Sequence, residues 1–254
     1  TTIELLGLLI IIWVARESFV DFPQYVTQTL PTFSISDAGG LLGGMFLAFY
    51  AFIGFEDMVN VAEETKSPAK TMPKAIIASL LIAGALYILI GIVAVLTLPI
   101  AELEASKAPL ASIFTLYTGQ NPALITIISL FAVVNGVIAQ IIMASRILYG
   151  MGQKGWIHSE ISRLWHHRGT PLTATVVVSA IILLFALAVP IVPLATATSF
   201  ITLTLFALVN FSLIQIKRKH PNKKRAFTVP LWVPIVGLGL NLCILIQKVW
   251  TWAL

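Results

Sequence analysis

Charged residues are scarce in this sequence. They make up 11% of its 254 residues, whereas soluble domains carry about 25%. Hydrophobic residues account for 58%, and the mean hydropathy is +0.94. This composition excludes an ordinary soluble domain and predicts an integral membrane protein. Cysteine is scarcer still, because Cys243 stands alone. No disulfide framework is therefore available within the chain.

Catalytic motifs are also lacking. The sequence contains no nucleophile elbow, phosphate-binding loop or paired-acid arrangement, so it gives little support to an enzyme. His158, His166 and His167 lie in a basic loop without a carboxylate or cysteine at metal-ligand spacing. We therefore expect no catalytic residue, metal site or cofactor. The net charge is +5. The basic residues cluster on one predicted side of the membrane, so the charge does not indicate a nucleic acid partner.

Long apolar runs, in contrast, are abundant. Each is long enough, or nearly so, to cross a bilayer as a helix. They predict an all-α, polytopic membrane bundle of about seven transmembrane helices in a single membrane domain covering residues 1–254. The predicted spans are 3–20, 39–62, 74–98, 122–150, 172–189, 191–216 and 230–252.

Basic residues predict the orientation of this bundle, since cytoplasmic loops are enriched in lysine and arginine. Thirteen of the sixteen follow the second, fourth or sixth span: Lys66, Lys70, Lys74, Arg146, Lys154, Arg163, Arg168, Lys217, Arg218, Lys219, Lys223, Lys224 and Arg225. The three on the other side are Arg16, Lys107 and Lys248. The pattern predicts a cytoplasmic start and an external C-terminus, which is opposite to a seven-helix receptor.

The first span and the outer segment between the third and fourth spans differ from the other apolar runs. The apolar run from Leu5 to Val14 is short for a span, and we expect the chain to be part of a longer one. The outer segment 99–121 contains the apolar stretch LASIFTLY at residues 110–117. This stretch predicts a short helix that lies on the membrane surface or over a vestibule.

The second span carries an interruption at Gly54 and Glu56. Counting back from Lys66 at about 1.5 Å per residue places Glu56 roughly 15 Å inside, near the middle of a hydrocarbon layer about 30 Å thick. Glycine at that depth permits an unwound turn, which is tolerated where backbone lines a cavity or is buried in protein. The outer half-helix then presents carbonyl groups to a cation such as an ammonium group. The candidate substrate-binding residues are Tyr50, Ala51, Phe52, Ile53, Gly54 and Phe55.

Polar residues follow the interruption and suggest coupling or gating. Glu56, Asn60 and Glu63 share one helical stripe, and Asp57 and Glu64 form the adjacent one. A carboxyl group at mid-membrane can hold a proton at ordinary pH, because removal from water disfavours its charged form. We take Glu56, Asp57 and Asn60 as coupling or gating candidates. A hydrogen-bonded Glu56 that holds helices together is the alternative, and Glu63 and Glu64 lie near the cytoplasmic interface.

The fourth span contains Asn135 and Gln140 within an apolar helix. Such residues mark either interhelical hydrogen bonds or the wall of a transport pathway. The sequence leaves both interpretations open.

Three ordered signatures carry a family resemblance. Gly54-Phe55-Glu56 is followed by AEETKSPAKTMPKAI at residues 62–76, RILYGMGQKG stands at 146–155, and FTVP stands at 227–230. Together they resemble amino acid permeases of the amino acid-polyamine-organocation (APC) superfamily. The resemblance covers essentially the whole chain, which matches the fifth to eleventh segments, in the C-terminal portion of such a permease.

The resemblance implies a LeuT-like fold of two inverted five-helix repeats, with substrate at the midplane between the broken first and sixth segments. This chain then contains the second repeat and lacks the first four helices, which complete the site. Tyr50 corresponds to an aromatic gate and Glu56 to an acid used in gating or coupling.

The implied function is secondary active transport of an amino acid or related amine by alternating access. The resemblance implies proton-coupled symport or antiport, with sodium as the other candidate ion, in the plasma (cell inner) membrane. An accessory subunit is compatible with the family. The alternative function is a non-transporting membrane scaffold or channel-like subunit.

Overall fold

The computed structural model describes residues 2–29, 38–60, 62, 65–165, 169–220 and 227–253. Within this part of the chain the regular elements are helices, and one isolated antiparallel bridge joins Trp165 to Thr170. The predicted all-α fold is confirmed.

Eleven α-helices follow one another along the described chain. They are α1 (Thr2–Val14), α2 (Phe22–Thr29), α3 (Ala38–Tyr50), α4 (Asp57–Asn60), α5 (Pro68–Thr97), α6 (Ile100–Ala105), α7 (Pro109–Thr118), α8 (Ala123–Gln153), α9 (Leu172–Ala188), α10 (Ile191–Lys219) and α11 (Trp232–Ala253). The described residues also include 3-10 helices at Arg16–Asp21 and Ser159–Ser162.

Among the described residues, four helices are long and apolar enough to cross a membrane, namely α5, α8, α10 and α11. Three more, α1, α3 and α9, are apolar but shorter. In α5 and in α8, only 6% of the most apolar stretch is buried inside the structure. A helix whose apolar surface faces outward all round is typical of contact with lipid or with further helices. The number of seven membrane crossings stays a prediction.

Helix boundaries differ from the predicted spans in three places. The first span is helical only to Val14, where a 3-10 helix takes over and the Ser18 hydroxyl donates to the Ala15 carbonyl at 2.7 Å. The second span is divided between α3 and α4. The third begins at Pro68 instead of residue 74, because proline is well suited to the first helical position. Pro73 therefore lies inside α5.

The described chain divides into two compact units. The first comprises Thr1–Phe33 and Ile82–Leu184. Its core joins α1, α5, α7 and α8, and it contains Ile11, Val93, Ile113 and Ile125. Helix α7, which lies within the predicted outer segment, buries Ile113 and Phe114 in this core. The segment thus forms a short helix, as predicted, and packs against its own unit.

The second unit comprises Ser34–Leu81 and Phe185–Leu254. Its core is formed by α3, α10 and α11 around Phe46, Leu203 and Leu245. The Gln247 side-chain amide donates to the Gly39 carbonyl at 3.3 Å and thereby joins α11 to the start of α3.

Four glycines lie at the start of α3, at Gly39, Gly40, Gly43 and Gly44. Small residues of this kind commonly let two membrane helices pack closely. A Cβ atom built on any of these four meets no described atom within 4 Å. In the part of the chain that the structure describes, close packing therefore does not explain them.

Candidate functional site

The centre of the candidate site is the gap between α3 and α4. Helix α3 ends at Tyr50, the next six residues form turns, and α4 starts at Asp57. Gly54 has φ = 120°, which glycine adopts at no steric cost and which other residues rarely adopt. The helical interruption therefore lies where Gly54 and the two acids indicated it.

Short-range backbone hydrogen bonds replace the α-helical ladder in this gap. The Ile53 amide donates to the Tyr50 carbonyl and the Asp57 amide to the Gly54 carbonyl, both at 3.2 Å. Each is an i to i−3 bond, which tightens the chain where the helix ends. A carbonyl oxygen has two lone pairs, so one that accepts a turn bond can also accept from a bound ammonium group.

Glu56 folds back onto the interruption. Its Oε2 accepts a hydrogen bond from the Gly54 amide at 2.9 Å. The residue is half-buried, and its carboxyl group satisfies the backbone amide of Gly54, which lies in the turn between α3 and α4. The bond gives Glu56 a direct part in shaping the turn.

An aromatic cluster supports both sides of the interruption. The Phe206 ring on α10 lies 5.9 Å from that of Phe49 in an edge-to-face arrangement at 87°. It also lies 5.5 Å from that of Phe55, tilted by 47°. Phe55 thus packs towards α10. Phe206 was not among the predicted site residues, because one phenylalanine among many in an apolar helix carries no distinguishing signal.

The other predicted residues of the interruption differ in exposure. Tyr50 is 41% exposed at the end of α3, and Ala51 is exposed beside it. Phe52 and Ile53 are half-buried in the turn. A contact of 3.7 Å from the Ser79 hydroxyl to the Met58 sulfur joins α4 to α5. The backbone of this stretch, with Tyr50 at its edge, forms the candidate substrate-binding segment.

The polar coupling candidates are only partly described. Asp57 is half-buried and is the first residue of α4. Asn60 ends α4, and its side chain lies outside the described part of the chain, as do Glu63 and Glu64. Gln140 is exposed on α8 in the first unit.

Asn135 makes an interhelical hydrogen bond. Its Nδ2 donates to Oε1 of Glu4 on α1 at 2.9 Å, within the first unit. The interhelical interpretation of Asn135 is confirmed, and a role in a pathway wall stays a prediction. Glu4 was not among the predicted site residues, since nothing in sequence spacing relates two residues 131 positions apart.

Two of the three sequence signatures have clear structural roles. Gly152 is buried against the 3-10 helix at Ser159–Ser162, where a Cβ on it would stand 2.8 Å from the Ser162 Cβ and 3.2 Å from the Ser162 amide nitrogen. The Lys217 ammonium group donates to the Val229 carbonyl and ties the start of the FTVP signature to the end of α10. These signature residues hold loops against helix ends.

Replacing Gly152 with alanine is expected to destabilise the protein by about 1–3 kcal/mol, as overpacking of a tight contact does. Gly150 is the matched control, because it lies in the same helix and a Cβ on it meets no described atom within 4 Å. Thermal unfolding in detergent measures both. If the thermal unfolding midpoints of Gly152→Ala and Gly150→Ala are equal, the contact with Ser162 accommodates a Cβ atom without loss of stability.

The described residues contain no group of three or more His, Cys, Asp or Glu side chains placed to hold a metal ion. His158 uses its Nδ1 to accept from the Glu160 amide at 3.4 Å. His166 and His167 lie outside the described residues.

The apolar helices and the interrupted span define an integral, multi-pass membrane protein of the α-helical class. The sequence profile of the family "Amino acid permease" matches residues 1–252. The chain therefore belongs to the amino acid permease family, within the APC superfamily.

Individual relatives agree with this assignment. A branched-chain amino acid permease, BcaP, of Bacillus subtilis (strain 168) is 30% identical over 81% of this chain and 44% of that protein. A methylthioribose transporter of the same organism is 26% identical over 80% of this chain and 44% of that protein. A mitochondrial cationic amino acid transporter 3 of Arabidopsis thaliana is 28% identical over 72% of this chain and 30% of that protein. The chain thus spans less than half the length of these curated relatives.

Proposed function

We propose that this chain is part of a secondary carrier that moves amino acids across the membrane by alternating access. The interruption between α3 and α4 is the observation that carries the proposal. Broken helices near the bilayer midplane are how many carriers expose backbone groups to a substrate. Family membership and the names of the relatives support the same class, and a carrier is favoured over an enzyme on these grounds.

The proposed binding mode follows from the polarity of helix ends. The carboxyl end of α3 carries negative partial charge and exposed carbonyl oxygens, so we assign Ala51, Phe52, Ile53 and Gly54 to the substrate ammonium group. Tyr50 and Phe55 flank this segment as covering aromatics. The partner of the substrate carboxylate is proposed to lie in helices of the same carrier outside these 254 residues.

The proposed substrate is a neutral amino acid with an apolar side chain. The segment presents Ala51, Phe52, Ile53 and Phe55, whose side chains favour an apolar ligand. The relative at 30% identity is a branched-chain amino acid permease. The names of other relatives mention cationic amino acids. For a substrate of that kind, Asp57 is the nearby carboxyl group that would bind the cationic side chain.

The proposed setting is the plasma (cell inner) membrane. The basic segments that follow the second, fourth and sixth predicted spans support a cytoplasmic position for these segments and an external C-terminus. The proposed coupling ion is the proton, in symport or antiport. Sodium is the alternative coupling ion. An accessory subunit has no support in the described residues.

Uptake into liposomes by the purified carrier tests the function. We expect saturable, stereoselective accumulation of labelled L-leucine or L-valine, competed weakly by L-lysine and by methylthioribose. A proton gradient, outside acid, is compared with a sodium gradient. Absence of saturable, stereoselective uptake of any amino acid would contradict the carrier and favour a non-transporting scaffold or a channel-like subunit.

Glu56 is proposed to act on gating, by holding the turn at Gly54. Glutamine retains an acceptor oxygen for the Gly54 amide, whereas alanine leaves that amide without its partner. We expect Glu56→Gln to stay within a few-fold of the original KM and Glu56→Ala to raise KM about tenfold, since a lost hydrogen bond to a charged group is worth about 1.5–3 kcal/mol. The measurement is KM for uptake against external pH. Loss of the pH dependence in Glu56→Gln would instead assign the coupling proton to Glu56.

A further inference from the structure

Glu4 and Asn135 form a hydrogen-bonded polar pair between two apolar helices of the first unit. Helices α1 and α8 are antiparallel. Glu4 near the start of α1 bonds to Asn135, whereas Ile11, later in α1, shares a core cluster with Ile125, which is earlier in α8. The Glu4 side chain is half-buried. A carboxyl group and a carboxamide therefore face each other where both helices are otherwise apolar.

The pair lies deep in the proposed membrane. Asn135 precedes Arg146, the first basic residue at the cytoplasmic end of α8, by eleven residues, which is about 16 Å along a helix. That depth is close to the middle of a hydrocarbon layer about 30 Å thick. Ionisable residues at this depth are costly and mark ion or proton pathways by default. The Asn135 bond sets Glu4 at the same depth.

A close helix contact holds the pair together. One turn along α1 from Glu4, a Cβ on Gly7 would stand 2.7 Å from Cγ2 of Ile128. Isoleucine is stiff at χ1 in a helix, so this methyl group cannot turn away freely. Glycine is thus required for α1 to approach α8 closely enough for the hydrogen bond.

Two cavities with shared lining residues lie between Glu4 and the outer end of the unit. A cavity of about 170 Å³ is lined by Glu4, Gly7 and Ile128, among others. A second cavity, of about 280 Å³, reaches Lys107 in the loop before α7. The two share Leu110, Ile125 and Ser129. Both are large enough for water, whose share of liquid volume is about 30 Å³.

Glu4 is the titratable residue in this lining, since the others around the first cavity are apolar or serine. The elements that pack against α1 carry titratable groups elsewhere in their sequences. In the described residues these are Lys70, Lys74 and Tyr87 on α5, Tyr117 on α7, Arg146 and Tyr149 on α8, and Arg16, Glu17 and Asp21 in the adjoining 3-10 helix. Arg16 is engaged at the outer end, where it donates to the Trp13 carbonyl at 3.1 Å.

We propose that Glu4 is the proton-binding site of this carrier and that Asn135 is its positioning residue. The inference rests on the proposed function and deepens it. A proton from water in the cavities adds to the Glu4 carboxylate, whose charge changes from −1 to 0. The carboxamide serves both states, because its NH2 group donates to the carboxylate and its oxygen accepts from the protonated carboxyl.

Gradient-driven uptake and counterflow together test the proposal. Glu4→Gln is expected to lose acid-driven accumulation at least tenfold while exchange of internal for external substrate, which needs no net proton movement, continues. Glu104→Gln is the matched control, since Glu104 lies on α6 outside both cavity linings, and it should keep both activities. Acid-driven accumulation by Glu4→Gln at the original level overturns the proposal while the carrier stands.

A second measurement does not depend on transport. Difference infrared spectroscopy of the purified protein between alkaline and acid pH should show the carbonyl band of one protonated carboxyl group that Glu4→Gln removes and Glu104→Gln retains. Asn135→Ala should change the frequency of this band, because the Glu4 carboxyl group loses its hydrogen-bond partner on α8. An unchanged band in Glu4→Gln refutes the proton site. Absence of counterflow in the unmodified protein, with the band present, refutes the carrier instead.

Discussion

Replacing Gly54 with alanine is expected to lower the initial rate of amino acid uptake by about tenfold to a hundredfold. Gly54 has φ = 120°, a backbone conformation that residues with a Cβ atom rarely adopt. Holding alanine in this conformation costs about 1–3 kcal/mol. The chain can relieve it only by rebuilding the turn from Ala51 to Glu56, and this turn carries the carbonyl groups assigned to the substrate. The measurement is uptake at low substrate concentration, normalised to correctly folded protein by gel filtration.

Gly43→Ala is the matched control for this change. Gly43 lies in the regular part of α3, and a Cβ on it meets no described atom within 4 Å. Alanine is a better helix former than glycine by about 1 kcal/mol, so Gly43→Ala should leave uptake unchanged and the helix no less stable. If Gly54→Ala keeps more than half of the original uptake, the turn does not need its left-handed residue and the proposed site is wrong.

The interruption was predictable because its chemistry is local. A glycine followed by an acid inside an apolar run indicates a backbone that departs from the helix. The acid also has a free-energy cost inside a membrane, and such residues are usually functional. Gly54 and Glu56 are two residues apart, so their hydrogen bond lies within the reach of sequence reasoning. Interactions of this kind depend on spacing along one segment, which the sequence displays directly.

The support of the interruption was not predictable, because it comes from distant residues. Phe206 follows Phe55 by 151 positions, and an apolar residue in an apolar helix gives no sign of which neighbour it meets. The Glu4 and Asn135 pair has the same character: each residue is unusual in its own helix, but only the antiparallel packing of α1 and α8 brings them together. Hydropathy detects membrane helices, and it carries almost no information on which helix faces which.

The sequence also does not show which glycines lie in close contacts. Gly152 and Gly43 are both glycines in apolar helices, and composition does not distinguish them. In the structure, the first meets Ser162 closely and the second meets no described atom within 4 Å. The difference arises from the turn after α8, which returns the chain onto the helix end at Ser159–Ser162. Loop geometry therefore decides which of the two glycines is required for packing.

Replacing Phe206 with alanine is the second change from which we expect a large effect. The two ring pairs with Phe49 and Phe55 are worth about 0.5–1.5 kcal/mol each beyond their buried area. Their loss removes the support on both sides of the interruption at once. We expect a lower thermal midpoint and an apparent substrate affinity reduced by at least tenfold, measured by unfolding in detergent and by uptake kinetics on the same preparation.

Two controls separate the ring contacts from general damage to α10. Phe206→Leu retains apolar volume but not the aromatic edges, so it should recover most of the stability and only part of the affinity. Phe211→Ala, at a position of the same helix that is 50% exposed, should change neither strongly. An affinity in Phe206→Ala equal to that in Phe211→Ala would mean that the turn at Gly54 holds its shape without α10. The carbonyl geometry would then depend on the Glu56 hydrogen bond and the backbone of Gly54 alone.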